Sequence, residues 1–213
     1  MTAAEATAGP APLSRWRASP RRLASLLLGL VLFGAGDACL VASELGNTPW
    51  TVNAEGIALH TPLTVGTATI ATSFAILLLW VPLRQRPGLG TVGNALVVGV
   101  AIDATLAVLP DEAVLPARIF ELAAGIALVA IGSAFYLGAA LGPGPRDGLM
   151  TALHRVTGRS VALVRGSIEL TALAIGIALG GTFGPGTIAF ALLVGPAVAL
   201  ALRVAGVTRV GEL

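Results

Sequence analysis

Six stretches of near-continuous apolar residues dominate the chain, at roughly Leu23–Ser43, Pro62–Leu83, Gly90–Leu109, Ile119–Leu141, Ser160–Gly180 and Pro185–Leu202. Each is close to the twenty or so residues that a helix needs to cross the hydrocarbon core. The polar positions fall between them, with few exceptions. Asp37, Asp103, Arg165 and Glu169 lie inside the apolar runs. Two links break in the same manner. Leu45-Gly-Asn-Thr-Pro-Trp50 follows the first run, and Leu141-Gly-Pro-Gly-Pro-Arg-Asp-Gly-Leu-Met150 follows the fourth.

The two breaks are in register at an offset of 96: Leu45, Gly46 and Pro49 correspond to Leu141, Gly142 and Pro145. The same offset relates Gly29 to Gly125, Gly36 to Gly132, Gly90-Thr91 to Gly186-Thr187, and Val98-Gly99 to Val194-Gly195. The chain therefore reads as a tail (1–20) and two transmembrane repeats (21–110 and 117–205). Three spans per copy is odd, so the second copy starts from the opposite side of the membrane. The predicted fold is an all-α polytopic membrane protein of six helices in two inverted three-helix repeats. At each break, glycine ends one helix and proline opens a short one, where its missing N–H costs nothing. Asn47 or Thr48 is expected to cap the first short helix, Thr61-Pro62 to start the next span, and Ser160 to cap its counterpart.

Composition sharpens the picture. Of 213 residues, 55% are hydrophobic and 11% charged, with mean hydropathy +0.88. Soluble domains carry about 25% charged residues. All 13 basic residues are arginine, and the net charge is +2, which gives no footprint for nucleic acid. Arg15, Arg17, Arg21, Arg22, Arg84, Arg86, Arg146, Arg155, Arg159, Arg203 and Arg209 fall on one side of a six-span topology, whereas 44–61, 110–117 and 181–184 hold none. The positive-inside rule then puts both termini in the cytoplasm of a bacterial inner membrane. Trp16, Trp50 and Trp80 sit near predicted membrane boundaries, as expected of interfacial rings. The single cysteine, Cys39, excludes an internal disulfide and reads as a small core filler.

Charges at membrane depth are costly and tend to serve function. Arg165 and Glu169, one turn apart, can form a structural ion pair or hold a substrate. Asp103 and Asp37 suit proton coupling or the bonding of freed backbone groups. Arg146 beside Asp147 suits a carboxylate or phosphate, or sets topology and opens a helix. His60 and His154 read as surface residues. No nucleophile–base constellation, Walker loop or zinc spacing is visible, so neither enzyme, cofactor nor metal is expected.

The breaks, together with Gln85-Arg-Pro-Gly-Leu-Gly-Thr91, Asp103, Arg165 with Glu169, and Gly186-Thr187, resemble the YczE/YyaS/YitT group of bacterial integral membrane proteins, most of all its YczE branch. The resemblance spans about residues 20–205 and implies a polytopic inner-membrane protein. Thr51 stands where many relatives carry Asp, and Asp37 lies outside the family pattern. Two functions follow as expectations. One is a small secondary transporter or exporter working by alternating access. Its substrate-binding candidates are Arg146, Asp147, Arg165, Glu169, Asp103, Trp50, Thr91 and Thr187, with Gly46, Pro49, Gly142, Gly144 and Pro145 shaping the breaks. The other is a non-transporting scaffold that docks a partner through its cytoplasmic arginines. A homodimer suits either.

Overall fold

A computed structural model describes residues 14–110 and 114–206, and among them all regular structure is helical. The helices are α1 (Pro20–Ser43), α2 (Pro49–His60), α3 (Val65–Trp80), α4 (Leu89–Leu106), α5 (Leu115–Gly138), α6 (Pro145–Thr157), α7 (Val161–Ala178) and α8 (Pro185–Val204). The starts of α2, α3 and α4 at 49, 65 and 89 recur at 145, 161 and 185, each 96 later. Residues 1–13 of the tail and Arg209 lie outside the described residues. Residues 14–19 cross the start of α4, where the Leu89 amide donates to the Arg15 carbonyl at 3.0 Å.

Five helices (α1, α4, α5, α7, α8) are long and apolar enough to cross a membrane, and α2 with α3 forms a sixth candidate bent by 112°. The second span differs from expectation. Its helix begins at Val65 rather than Pro62, because Thr64 caps it and exchanges hydrogen bonds with Thr67 in a capping box. At 16 residues, α3 is shorter than a standard span.

Both breaks use the same backbone. Glu44 (φ 52°) and Ala140 (φ 49°) are left-handed, and so are Gly46 (φ 117°) and Gly142 (φ 113°). Glycine tolerates that conformation at little cost. The next residues are extended, and proline then opens α2 and α6. Thr48 caps α2, accepting from the Thr51 amide at 3.2 Å, and Ser160 caps α7.

The core is the crossing of α1 with α5. Gly29 lies against Gly132 and Gly36 against Gly125, so close that a Cβ on Gly36 would stand 2.7 Å from the Gly125 carbonyl. Because the lower-numbered glycine of one helix meets the higher-numbered glycine of the other, the two helices run antiparallel. Leu26, Leu30, Ala38, Val98, Ile102 and Tyr136 pack around this contact. Cys39 is buried there, as the sequence suggests.

Each copy also fastens the other's break. The Gly90 amide at the start of α4 donates to Leu141 O, and the Gly186 amide at the start of α8 donates to Leu45 O, both at 2.8 Å. The two bonds are equivalent under the offset of 96. The arginine-rich end is tied by Arg22, which donates to Ala139 O (2.9 Å) and Ala140 O (3.0 Å), and by Arg155, which donates to Leu83 O (2.9 Å). At the other end stands Arg118, paired with Glu44 at 2.6 Å.

Candidate functional site

Around the α1–α5 core the helices form an incomplete ring. α4 packs on α1, α3 on α4, α8 on α5, and α7 on α2. Inside it lies a crevice of about 560 Å³, lined from both copies. Its wall pairs equivalent positions: Trp50 with Arg146, Thr69 with Arg165, Ser73 with Glu169, Asn94 with Phe190, and Val98 with Val194. The crevice thus straddles the relation between the copies.

The short helix α6 brings charge into this space. Proline opens α6 beside the crevice, so the next two side chains, Arg146 and Asp147, line it. Arg146 is half-buried and Asp147 exposed. The Arg146 guanidinium lies over the Trp50 ring, 4.9 Å from its centre, a cation–π contact between the two breaks. Asp37, fully buried on α1, faces Arg146 from behind, and neither of its carboxylate oxygens has a hydrogen bond of normal geometry. Arg146 also feels Asp147 and Glu169. Tyr136 joins the elements: its hydroxyl accepts the Gly144 amide and donates to Asp147 Oδ2 at 3.2 Å. Arg165 Nε holds Glu169 Oε1 at 2.9 Å, and both side chains remain substantially exposed.

The structure therefore brings together Trp50, Arg146, Asp147, Arg165 and Glu169, with Pro49 and Gly144 beside them. It does not bring in Asp103, Thr91 or Thr187. Asp103 accepts from Thr64 Oγ1 at 2.5 Å and from the Gly66 amide at 2.8 Å, so it binds the start of α3 to α4. It thus fills the backbone-bonding role open to it. Thr91 is buried at the break and donates to Pro143 O at 2.7 Å. Thr187 is its counterpart, accepting from the Gly184 amide. Gly46, Gly142 and Pro145 shape the breaks.

Trp80 is not an interfacial ring. It is buried beneath α6, where Nε1 donates to Pro145 O at 3.1 Å and the ring occupies the space that any side chain at Gly148 would need. Sequence reasoning also missed Thr69, Ser73, Asn94 and Tyr136. The offset could have found the first two, since they stand 96 residues before Arg165 and Glu169. It missed Glu55 as well. That carboxylate accepts from Asn47 Nδ2 (2.9 Å), the Thr182 amide (2.6 Å) and Thr182 Oγ1 (2.8 Å), joining the first break to the α7–α8 loop.

A family model described as a family of unknown function (DUF6198) matches residues 20–203. The chain belongs to that family. It is 38% identical over 194 residues to an uncharacterized protein of Haemophilus influenzae, covering 91% of this chain and 89% of the relative. It is 34% identical to the uncharacterized membrane protein YczE of Bacillus subtilis, over 78% of this chain and 79% of that one. YyaS of the same organism is 26% identical over 76% of this chain and 82% of its own. The YczE/YyaS resemblance seen in the breaks is thereby established, and with it a membrane protein. No solved structure matches the chain.

Proposed function

We propose that the protein is a secondary transporter of a small molecule, built as two inverted three-span repeats that alternate access to the central crevice. The observation that carries this reading is the placement of the crevice between equivalent positions of the two copies, with Trp50 of the first break and the charged Arg146 and Asp147 of the second inside it. Transporters of this architecture hold their substrate at the midplane, where discontinuous helices meet. The antiparallel α1–α5 crossing supports opposite threading of the copies. Counting α2 with α3 as one bent crossing gives six spans, which puts both termini with the arginines on the cytoplasmic side. Irregular backbone at membrane depth is tolerated where it lines such a cavity. A scaffold has no need for a crevice of this size holding four charged side chains.

Arg146, Arg165, Asp147 and Glu169 are the proposed substrate contacts, with Trp50 holding Arg146 in place. Reconstituted vesicles loaded with a panel of amphoteric and ionic solutes test the reading. Flux should depend on the protein and fall at least about tenfold, the cost of one lost charged contact, in Arg165→Gln and Arg146→Gln. Absence of flux for every solute under a proton or sodium gradient, with intact topology, would sink it.

A further inference from the structure

The ring of helices is closed on one side and open on the other. In the first copy α3 packs on α4: Gly66 meets Gly99 so closely that a Cβ on either would overlap the other's carbonyl. Asp103 then latches the contact through the Gly66 amide and Thr64 Oγ1. The equivalent positions in the second copy are Ala162 for Gly66, Gly195 for Gly99 and Ala199 for Asp103. The latch carboxylate is missing and the close glycine approach is spoiled. The α7–α8 seam is accordingly open, and Gly166 and Gly195 meet nothing within 4 Å. Among the described residues the seam is pinned at its far end, where Gly176 and Gly181 press on Val52–Asn53, Gly186 bonds Leu45, and Thr182 bonds Glu55 and Asn47. It gapes toward the arginine-rich end, and in a bilayer that gap faces lipid.

The two walls of the gap differ. The α8 wall is Phe190, Val194, Val198 and Leu202, wholly apolar. The facing wall carries two positive and two negative groups: Arg146, Arg165, Asp147 and Glu169. A head of single charge competes for one member of the Arg165–Glu169 pair and leaves the other without its partner. A head with both signs exchanges one pair for two.

We propose that the open α7–α8 seam admits a membrane-partitioned amphiphile with a zwitterionic head, its chain against α8 and its head between Arg165 and Glu169. The proposal rests on the transport reading for what is carried, while binding is measurable without flux.

The test uses the full-length protein in dodecyl maltoside, with lysophosphatidylethanolamine as the probe and native mass spectrometry as the readout. Lysophosphatidylethanolamine should bind saturably, at least about tenfold (about 1.4 kcal/mol) more tightly than lysophosphatidylglycerol, dodecylamine or chain-free glycerophosphoethanolamine. The double variant Ala162→Gly/Ala199→Asp recreates the latch. It should lose that binding about tenfold or more while unfolding at the same or a higher temperature. If it does not fold, Val194→Trp, which fills the apolar wall, should show the same loss. Equal binding of glycerophosphoethanolamine would make the ligand a soluble zwitterion and overturn the proposal. So would unchanged binding in the closed-seam variants, or cross-links placing a second copy's helix in the seam. Tight binding with no flux in vesicles would fail the transport reading alone. Flux of a soluble solute that closing the seam leaves untouched would fail this proposal alone.

Discussion

Gly29 and Gly166 are both helical glycines in apolar surroundings, and their neighbours set opposite expectations. A Cβ on Gly29 would stand 2.6 Å from the Tyr136 amide nitrogen and 2.7 Å from Gly132 O, both backbone atoms that cannot step aside. Gly29→Val should destabilise by about 1–3 kcal/mol or more through overpacking. Gly166→Ala meets open space and should be neutral, or stabilising by roughly 0.5–1 kcal/mol through reduced backbone freedom. Thermal unfolding of both variants in one detergent checks the contrast, and equal shifts would mean that the α1–α5 contact is looser than described. Tyr136 gives a second expectation at this scale. In Tyr136→Phe the buried Gly144 amide loses its acceptor, at a cost of about 1–3 kcal/mol. Amide exchange should accelerate across residues 142–148 and not at the first break. The repeat glycines were legible as a register, but what each touches was not. Periodicity cannot tell that Gly29 meets Gly132 rather than its own counterpart, Gly125. That pairing follows from antiparallel packing.

Elements were legible where their ends carry chemistry. The second-copy starts at Pro145, Ser160–Val161 and Pro185 follow from proline and serine in the sequence. The start of α3 was not, because Thr61-Pro62 and Thr64 both qualify as openings, and the capping box with Thr67 decides for Thr64. Asp103 shows the same limit. A carboxylate in an apolar run signals that something polar lies opposite, without saying whether that is a substrate or a helix start. Here it is the first-turn amide of Gly66 and the Thr64 hydroxyl. Asp103→Ala should therefore release the α3 start from α4 at about 1–3 kcal/mol, with faster hydrogen exchange over 64–70. If exchange there is unchanged, the carboxylate is not what holds α3. The site was half legible. Its charged members stand out by cost, but Asn94, Ser73 and Thr69 are ordinary residues of membrane helices until a cavity gives them a role.

At the scale of the whole molecule, the two ends are fastened by different means, and this sets which one yields. At the arginine-rich end the bonds tie neighbouring helices, Arg22 to the end of α5 and Arg155 to the end of α3, and leave the α7–α8 seam open. At the arginine-poor end a carboxylate adds to the glycine contacts and the Gly186–Leu45 bond. Glu55 gathers Asn47 from the first break and both polar groups of Thr182 from the α7–α8 loop. Thr151 stands at the equivalent position in the second copy, where it bonds only its own helix, at Asp147 O. The proposed alternating access requires that this end can part, and Glu55 is the group whose removal should part it. In Glu55→Ala three hydrogen bonds are lost. Even one such bond, at about 1 kcal/mol, changes an opening equilibrium roughly fivefold. A Cys39→Ala background with Ser73→Cys places a single thiol on the crevice wall. An impermeant maleimide applied from the arginine-poor side should label it at least about fivefold faster when Glu55 is alanine. Glu55→Gln, which keeps one acceptor oxygen, should fall between. Equal labelling in all three backgrounds would mean that Leu45 and Gly186 hold the end shut without it, and that the copies part somewhere else.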